Sequence, residues 1–269
     1  MAHLVEVGVH GISPLGSTGE VMLLDQVQRE TIVAICIDET AGRIPVIPGV
    51  SSASTRDACR QAQRYASLGA DGLVVIRENA YPVDEQGVGD YFAAVAQAVE
   101  LPIVLYANPA LLGADISPAV LDRLLEIDNV RYLKDASGVT GRILSAIIRH
   151  GDRLGVFSAS AHVPVLVFQL GGIGWMAGPA CVIPEASLRL YELSGLGRWD
   201  DAMALQRRTW PLNALFTKYG LAPCIKAALE VSGFSVGPPI APGRALGDAP
   251  RSELRLVLDD IAAALEASN

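Results

Sequence analysis

The sequence predicts an α/β fold built on a parallel sheet, followed by an all-helical extension. Three observations predict it. Short apolar runs alternate with longer helical patterns through residues 10–195, and parallel strands require crossover helices between them. Beyond about residue 195 the apolar runs stop and only helical patterns follow. The 269 residues suit a single α/β barrel, which takes about 250. A doubly wound sheet would satisfy the alternation as well, but no G-x-G-x-x-G follows the first run, which weakens its dinucleotide-binding version.

In chain order the apolar runs are Gly11–Leu15, Val46–Val50, Gly72–Ile76, Pro102–Tyr106, Val130–Leu133, Leu154–Ser158 and Gly172–Met176. These make seven expected strands. Helical patterns between them cover Asp25–Thr40, Ser54–Leu68, Gly89–Val99, Ser117–Ile127 and Gly141–Arg149, with Ser54 and Ser117 placed as N-caps. In the tail, helices are expected over Trp199–Tyr219, Ala222–Ser232 and Arg251–Ala267. Leu254, Leu258, Ile261 and Leu265 recur there at three- and four-residue steps, one apolar stripe for a partner surface. The segment Gly237-Pro238-Pro239-Ile240-Ala241-Pro242-Gly243 cannot be helical and reads as an extended connector. The expected division is a barrel over 1–195 and a helical extension over 196–269.

Composition narrows the function. Half of the chain is hydrophobic, at 51%, and mean hydropathy is +0.34, so a disordered chain is excluded. Twenty-one basic against twenty-nine acidic residues leave a formal charge of −8, which opposes attraction to polyanions, and nucleic acid is not an expected partner. Cys36, Cys59, Cys181 and Cys224 form no C-x-x-C pair and read as reduced, mostly buried thiols. His3, His10, His150 and His162 show no metal-ligand spacing, so no metal site is expected. Residues 154–184 carry no charged side chain and reach the length of a membrane span. Pro164, Gly171, Gly172, Gly174, Gly178, Pro179 and Pro184 break that run, which divides into a short helix, a strand and a helix start. No membrane span and no secretory signal are expected, and the compartment expected is the cytoplasm.

Three motifs could carry chemistry. Gly16-Ser17-Thr18-Gly19-Glu20 ends the first run; its glycines allow a tight turn whose successive N–H groups suit a carboxylate or phosphate, or make an ordinary strand-to-helix turn. Tyr106 closes its strand before Ala107-Asn108-Pro109 and is either a proton relay or a hydrogen-bonded core phenol. Lys134 ends another strand before Asp135-Ala136-Ser137-Gly138. Desolvation there favours the neutral amine that attacks a carbonyl, while a lysine snorkelling to pair with Asp135 is the alternative. All three fall at carboxyl ends of expected strands, where barrel enzymes place their chemistry.

Together these residues resemble the dihydrodipicolinate synthase and N-acetylneuraminate lyase family of Schiff-base aldolases. Gly16–Glu20 is similar to its signature turn, Tyr106 with Pro109 to its tyrosine motif, and Lys134 with Ser137-Gly138 to its lysine strand. Gly171-Gly172-Ile173-Gly174 and the helical tail extend the likeness over essentially the whole chain. The resemblance implies a TIM (β/α)8 barrel with a C-terminal helical extension and a Schiff-base lyase acting on pyruvate or a related 2-oxo acid. Lys134 would condense with the keto group, and Ser17, Thr18 and Gly19 would hold the carboxylate. Tyr106 would shuttle protons, and Met176, at the end of the last strand, would line the substrate site. No cofactor is implied, because the protonated imine is itself the electron sink. The expected partner is a small 2-oxo acid, and the expected assembly a homo-oligomer, a dimer or tetramer.

The chain departs from the family pattern in three places. Only Met1 to Val9 precede the first run, so the first barrel strand is expected to be missing from this chain. Ala110-Leu111-Leu112-Gly113 stands where the synthases keep a carboxylate-gripping arginine, which argues against the lysine-pathway synthase. With no carboxylates in Ser158-Ala159-Ser160-Ala161-His162 to bind polyol hydroxyls, a small or apolar acceptor is expected. After the third run, Arg77-Glu78-Asn79-Ala80-Tyr81-Pro82 places Tyr81 out of the family register, and Arg77 and Glu78 either meet substrate or pair at the rim. The alternatives are a silent barrel binding a small acid or serving in an assembly, and a 2-oxo sugar-acid dehydratase.

Overall fold

A computed structural model describes residues 1–109, 115–159 and 162–267 of the chain, with only the backbone described at 267. Six parallel strands lie side by side in sequence order: β1 (Gly49–Ser52), β2 (Leu73–Arg77), β3 (Ile103–Ala107), β4 (Val130–Asp135), β5 (Gly155–Ser158) and β6 (Gly174–Trp175). Helices cross over between them: α3 (Thr55–Leu68), α4 (Glu85–Gln97), α5 (Pro118–Leu124), α6 (Thr140–His150) and α7 (Pro164–Gln169). Before β1 come α1 (Ala2–Val7) and α2 (Gln26–Thr40). The order never reverses, so the chain winds in one direction around the sheet.

The two faces of the sheet differ in what covers them. Val74, Ile76, Val104 and Tyr106 form a cluster with Ile47, Tyr132, Ala136 and Met176. Every member is a strand or strand-end residue, so this face packs strand against strand, as the inside of a barrel does. Leu73, Val75, Leu105 and Leu133, one residue out of phase, join a much larger cluster with Val33 of α2, Tyr65 of α3, Phe92 of α4, Leu124 of α5 and Ile143 of α6. In a doubly wound sheet both faces would carry helices. Here the helices lie outside and the period-two alternation of each strand sorts side chains between the two layers.

The strand count is corrected from seven to six with one isolated bridge. Gly11–Leu15 touches the sheet only through the parallel bridge Ile12–Val46 and a few bonds such as Gly49 N–H to the Pro14 carbonyl at 2.8 Å. Pro14 has no N–H to donate to a ladder, and Leu15 turns to φ +61°. Pro48 acts in the same way on Val46–Val50, so β1 begins at Gly49. At that point the strand passes so close to the preceding segment that a Cβ on Gly49 would lie 2.2 Å from the Leu15 carbonyl oxygen. Elsewhere the boundaries move by a few residues: α4 starts at Glu85 because Asp84 caps it by accepting the Gly87 N–H at 2.8 Å. Ser54 and Ser117 cap α3 and α5 as expected, and α1 was not anticipated.

After β6 the chain forms α8 (Pro184–Gly195), α9 (Trp199–Tyr219), α10 (Leu221–Val231) and α11 (Asp248–Ala267). Leu254 and Ile261 of the stripe on α11 are buried among Leu212, Phe216, Cys224 and Ile225, with Leu258 and Leu265 packed at the edge. The segment 233–247 is extended and turn-like. The uncharged run 154–184 is divided among β5, α7, β6 and a 3-10 turn, and among the described residues no helix is long and apolar enough to cross a membrane.

Gly49→Ala is expected to cost about 2 kcal/mol or more, since backbone cannot yield as a side chain can, whereas Gly247→Ala, with open space around it, should stay within about 0.5 kcal/mol. Urea unfolding of the two variants checks the contrast.

Candidate active site

Lys134 and Tyr106 are brought together by strand register. They are Cα partners on β4 and β3, both on the inward phase, and the Lys134 Nζ sits 4.1 Å from the centre of the Tyr106 ring. The phenol oxygen accepts a hydrogen bond from Asn108 Nδ2 at 3.1 Å, which leaves the phenol's own proton to donate elsewhere. Burial pushes the Lys134 amine below the ordinary lysine range, with Tyr106 and then Cys181 opposing the shift. A lysine held in this way keeps a larger neutral, nucleophilic fraction near neutral pH.

Asp135, the next residue, does not compensate it. Successive strand side chains point to opposite faces, and Asp135 is fully buried on the outer side, where it accepts from Ser137, lies 3.0 Å from His162 Nε2 and meets Arg142. The snorkelling pair of Lys134 with Asp135 is therefore not the one formed.

Gly16–Glu20 forms a tight 3-10 turn over Ser17–Gly19 that ends with Glu20 in the left-handed region at φ 55°. The Gly19 N–H is used within the turn, donating to the Gly16 carbonyl at 3.0 Å, and the Glu20 N–H donates to the Ser17 carbonyl at 3.2 Å. The N–H groups that open the turn are those of Ser17 and Thr18, so an anion would meet these two, while Gly19 shapes the turn. The turn is braced from the tail. The Glu20 carboxylate accepts the Ile240 N–H at 2.9 Å and pairs with Lys226 of α10 at 2.7 Å. Thr18 also faces the 3-10 turn Gly178–Cys181 that follows β6, so closely that a Cβ on Gly178 would lie 2.7 Å from Thr18 Oγ1. Met176, between β6 and this turn, is partly buried against the Tyr106 cluster.

Cys181 is the site residue that sequence reasoning missed. Expected as one of four mostly buried thiols, it is exposed at the end of the turn that faces Thr18, while only Cys36 and Cys224 are buried; desolvation of the thiol still pushes it up, and the Lys134 ammonium opposes that shift. His162 was passed over too, because its partner lies on a different strand. At the rim, Arg77 is buried and directs Nη1 to the Glu78 carbonyl at 3.2 Å. The Glu78 carboxylate accepts instead from Ser51 Oγ at 2.8 Å, with Arg29 at 3.9 Å, and Tyr81 is 79% exposed. Residues 110–113 and Ser160-Ala161 lie outside the described residues. A cleft of about 460 Å³ between α10 and α11, lined by Glu230, Asp248 and Arg251, contains none of these groups. Among the described residues no cluster of three His, Cys, Asp or Glu side chains could hold a metal ion.

A parallel barrel with a desolvated lysine and a tyrosine in register at the carboxyl ends of adjacent strands has the framework of a barrel enzyme. The chain belongs to the dihydrodipicolinate synthetase family of lyases, which it matches over residues 1–260. It is 34% identical over 258 residues to an uncharacterized DapA-like lyase of Halobacterium salinarum, covering 96% of this chain and 84% of that one. To the 4-hydroxy-tetrahydrodipicolinate synthase of Methanospirillum hungatei it is 31% identical over 240 residues, 88% of this chain and 82% of that one. Among solved structures, dihydrodipicolinate synthase from Cyanidioschyzon merolae with lysine bound superposes with a TM-score of 0.92 at 26% identity, covering 97% and 89% of the two chains.

A lysine whose folded-state value is lowered binds its proton less readily in the folded than in the unfolded chain, so stability rises with pH between the two values. Lys134→Met is therefore expected to be more stable than the parent below the folded-state value, by about 1–3 kcal/mol. The gap should close as pH rises toward the ordinary lysine value of about 10.4. Thermal unfolding across that range checks the sign.

Proposed function

We propose that the chain is a Schiff-base lyase in which Lys134 condenses with the keto carbon of pyruvate or a close 2-oxo acid before a carbon–carbon bond is made or broken. The observation that carries this is the desolvated Lys134 amine over the Tyr106 ring inside the barrel. The amine attacks the keto carbon, and the resulting carbinolamine loses water to give the imine. Tyr106, whose oxygen accepts from Asn108, passes the protons that these two steps need. The Ser17 and Thr18 N–H groups and hydroxyls receive the carboxylate, Gly19 keeps the turn tight, and Met176 supplies an apolar wall.

The second substrate is proposed to be small or apolar, and the activity to differ from the lysine-pathway synthase. What supports this is the sequence Ala110-Leu111-Leu112-Gly113, which offers no cation to a second carboxylate. A cytoplasmic homo-oligomer is proposed on the family resemblance and on the prevalence of closed symmetric assemblies.

Borohydride added with pyruvate should leave a permanent mass increase on the peptide containing Lys134. The chain has three lysines, Lys134, Lys218 and Lys226. The latter two pair with Glu253 and Glu20, so the site of labelling is easily assigned. Lys134→Ala should abolish the label, and Tyr106→Phe should slow its appearance about 10²-fold or more, the lower end of a general acid–base contribution, without preventing pyruvate binding. A folded protein that takes no label from any of several 2-oxo acids overturns the reading.

A further inference from the structure

A buried polar cluster lies directly behind the lysine, on the outer side of β4. Its centre is Asp135, with no exposed surface. A carboxylate taken out of water must be paired and hydrogen-bonded on all sides to remain there. Its Oδ1 accepts from the Ser137 N–H at 2.8 Å and Ser137 Oγ at 2.6 Å, and His162 Nε2 lies 3.0 Å from it. Arg142 Nε lies 2.9 Å from Oδ2 as a charge contact. The same guanidinium pairs with Asp115 and donates from Nη2 to the Ile116 carbonyl at 3.0 Å.

The partners come from three consecutive segments at the carboxyl end of the barrel. Asp115 and Ile116 precede α5, Ser137 and Arg142 follow β4, and His162 follows β5. His162 is 1% exposed, and its backbone N–H donates to the Ala159 carbonyl at 3.1 Å. Its Nδ1 is buried with no hydrogen-bond partner. The tautomer that leaves no buried donor unsatisfied carries the proton on Nε2, pointing at Asp135.

We propose that His162 is a positioning residue for the imine-forming lysine. By donating from Nε2 to Asp135 it ties the chain after β5 to the last residue of β4 and fixes the backbone one residue from Lys134. Because Lys134 and Asp135 project to opposite faces of one strand, locking the outer side chain sets the direction in which the inner one leaves the backbone. A displacement of the amine by about 1 Å can cost 10²-fold in rate when the nucleophile must approach along one line. The fully buried histidine is thus used for orientation and never touches substrate. This inference rests on the Schiff-base reading above.

The test is the rate of borohydride-trapped labelling of Lys134 by saturating pyruvate in three proteins: the parent, His162→Leu and His162→Gln. Leucine fills the space without a donor, and the glutamine amide can still donate to Asp135. The expected result is labelling at least tenfold slower in His162→Leu, with half-saturation by pyruvate within threefold of the parent. Recovery to within about threefold of the parent rate is expected in His162→Gln. Labelling of His162→Leu at the parent rate overturns the proposal, as does equal slowing in the leucine and glutamine variants, which would mark a packing role. Should His162→Leu fail to fold, the parent-to-glutamine comparison decides: labelling of folded His162→Gln more than tenfold slower than the parent overturns the proposal. A parent protein that takes no label overturns the Schiff-base reading itself and this inference with it.

Discussion

The structure depends on one constraint, the period-two alternation of β4 across a sheet whose two faces differ. Lys134 falls on the inner face and Asp135 on the outer, so two adjacent residues of opposite charge are kept from neutralising each other. Without that separation the amine would be held as an ammonium by its neighbour. With it, the amine lies over a phenol ring, while the carboxylate is hydrogen-bonded to Ser137 and His162 and ion-paired with Arg142. The desolvated amine inside and the hydrogen-bonded carboxylate outside come from the same strand.

The remaining elements serve that arrangement. Parallel pairing in sequence order brings the ends of β3, β4, β5 and β6 to one side, so residues far apart in sequence share a mouth. The tail contributes at a distance: Lys226 of α10 and the Ile240 N–H both hold Glu20, the last residue of the signature turn. The turn that presents Ser17 and Thr18 is thereby tied to the helical extension and does not depend on its own short 3-10 geometry alone. Gly178 completes the fit, because any larger residue would press on Thr18.

Much of this could be read from the chain. Alternating runs and helical patterns located every crossover helix, and Ser54 and Ser117 announced their caps. Lys134, Tyr106 and Ser17-Thr18 stand out in the sequence because each closes an apolar run with a group that such a run does not otherwise need. What could not be read was pairing between elements. Whether Lys134 would turn toward Asp135 depended on which face of β4 met helices, and that is a property of the whole sheet. His162 looked ordinary because its partner is 27 residues away on another strand, and Cys181 because nothing local places it near a lysine. The strand limits around Pro14 and Pro48 moved for a local reason, the missing N–H, which was visible but was outweighed by the surrounding apolar residues.

The central claim is that Lys134 is held as a desolvated amine with no carboxylate of its own. With only three lysines in the chain, a nitrogen-15 NMR titration of the lysine side chains resolves each one. The account predicts that the Lys134 Nζ titrates well below the ordinary value of about 10.4, while Lys218, hydrogen-bonded to Tyr219 and Glu253, titrates above it. A Lys134 resonance that stays protonated to the ordinary value or beyond would show an ion-paired lysine and contradict the account.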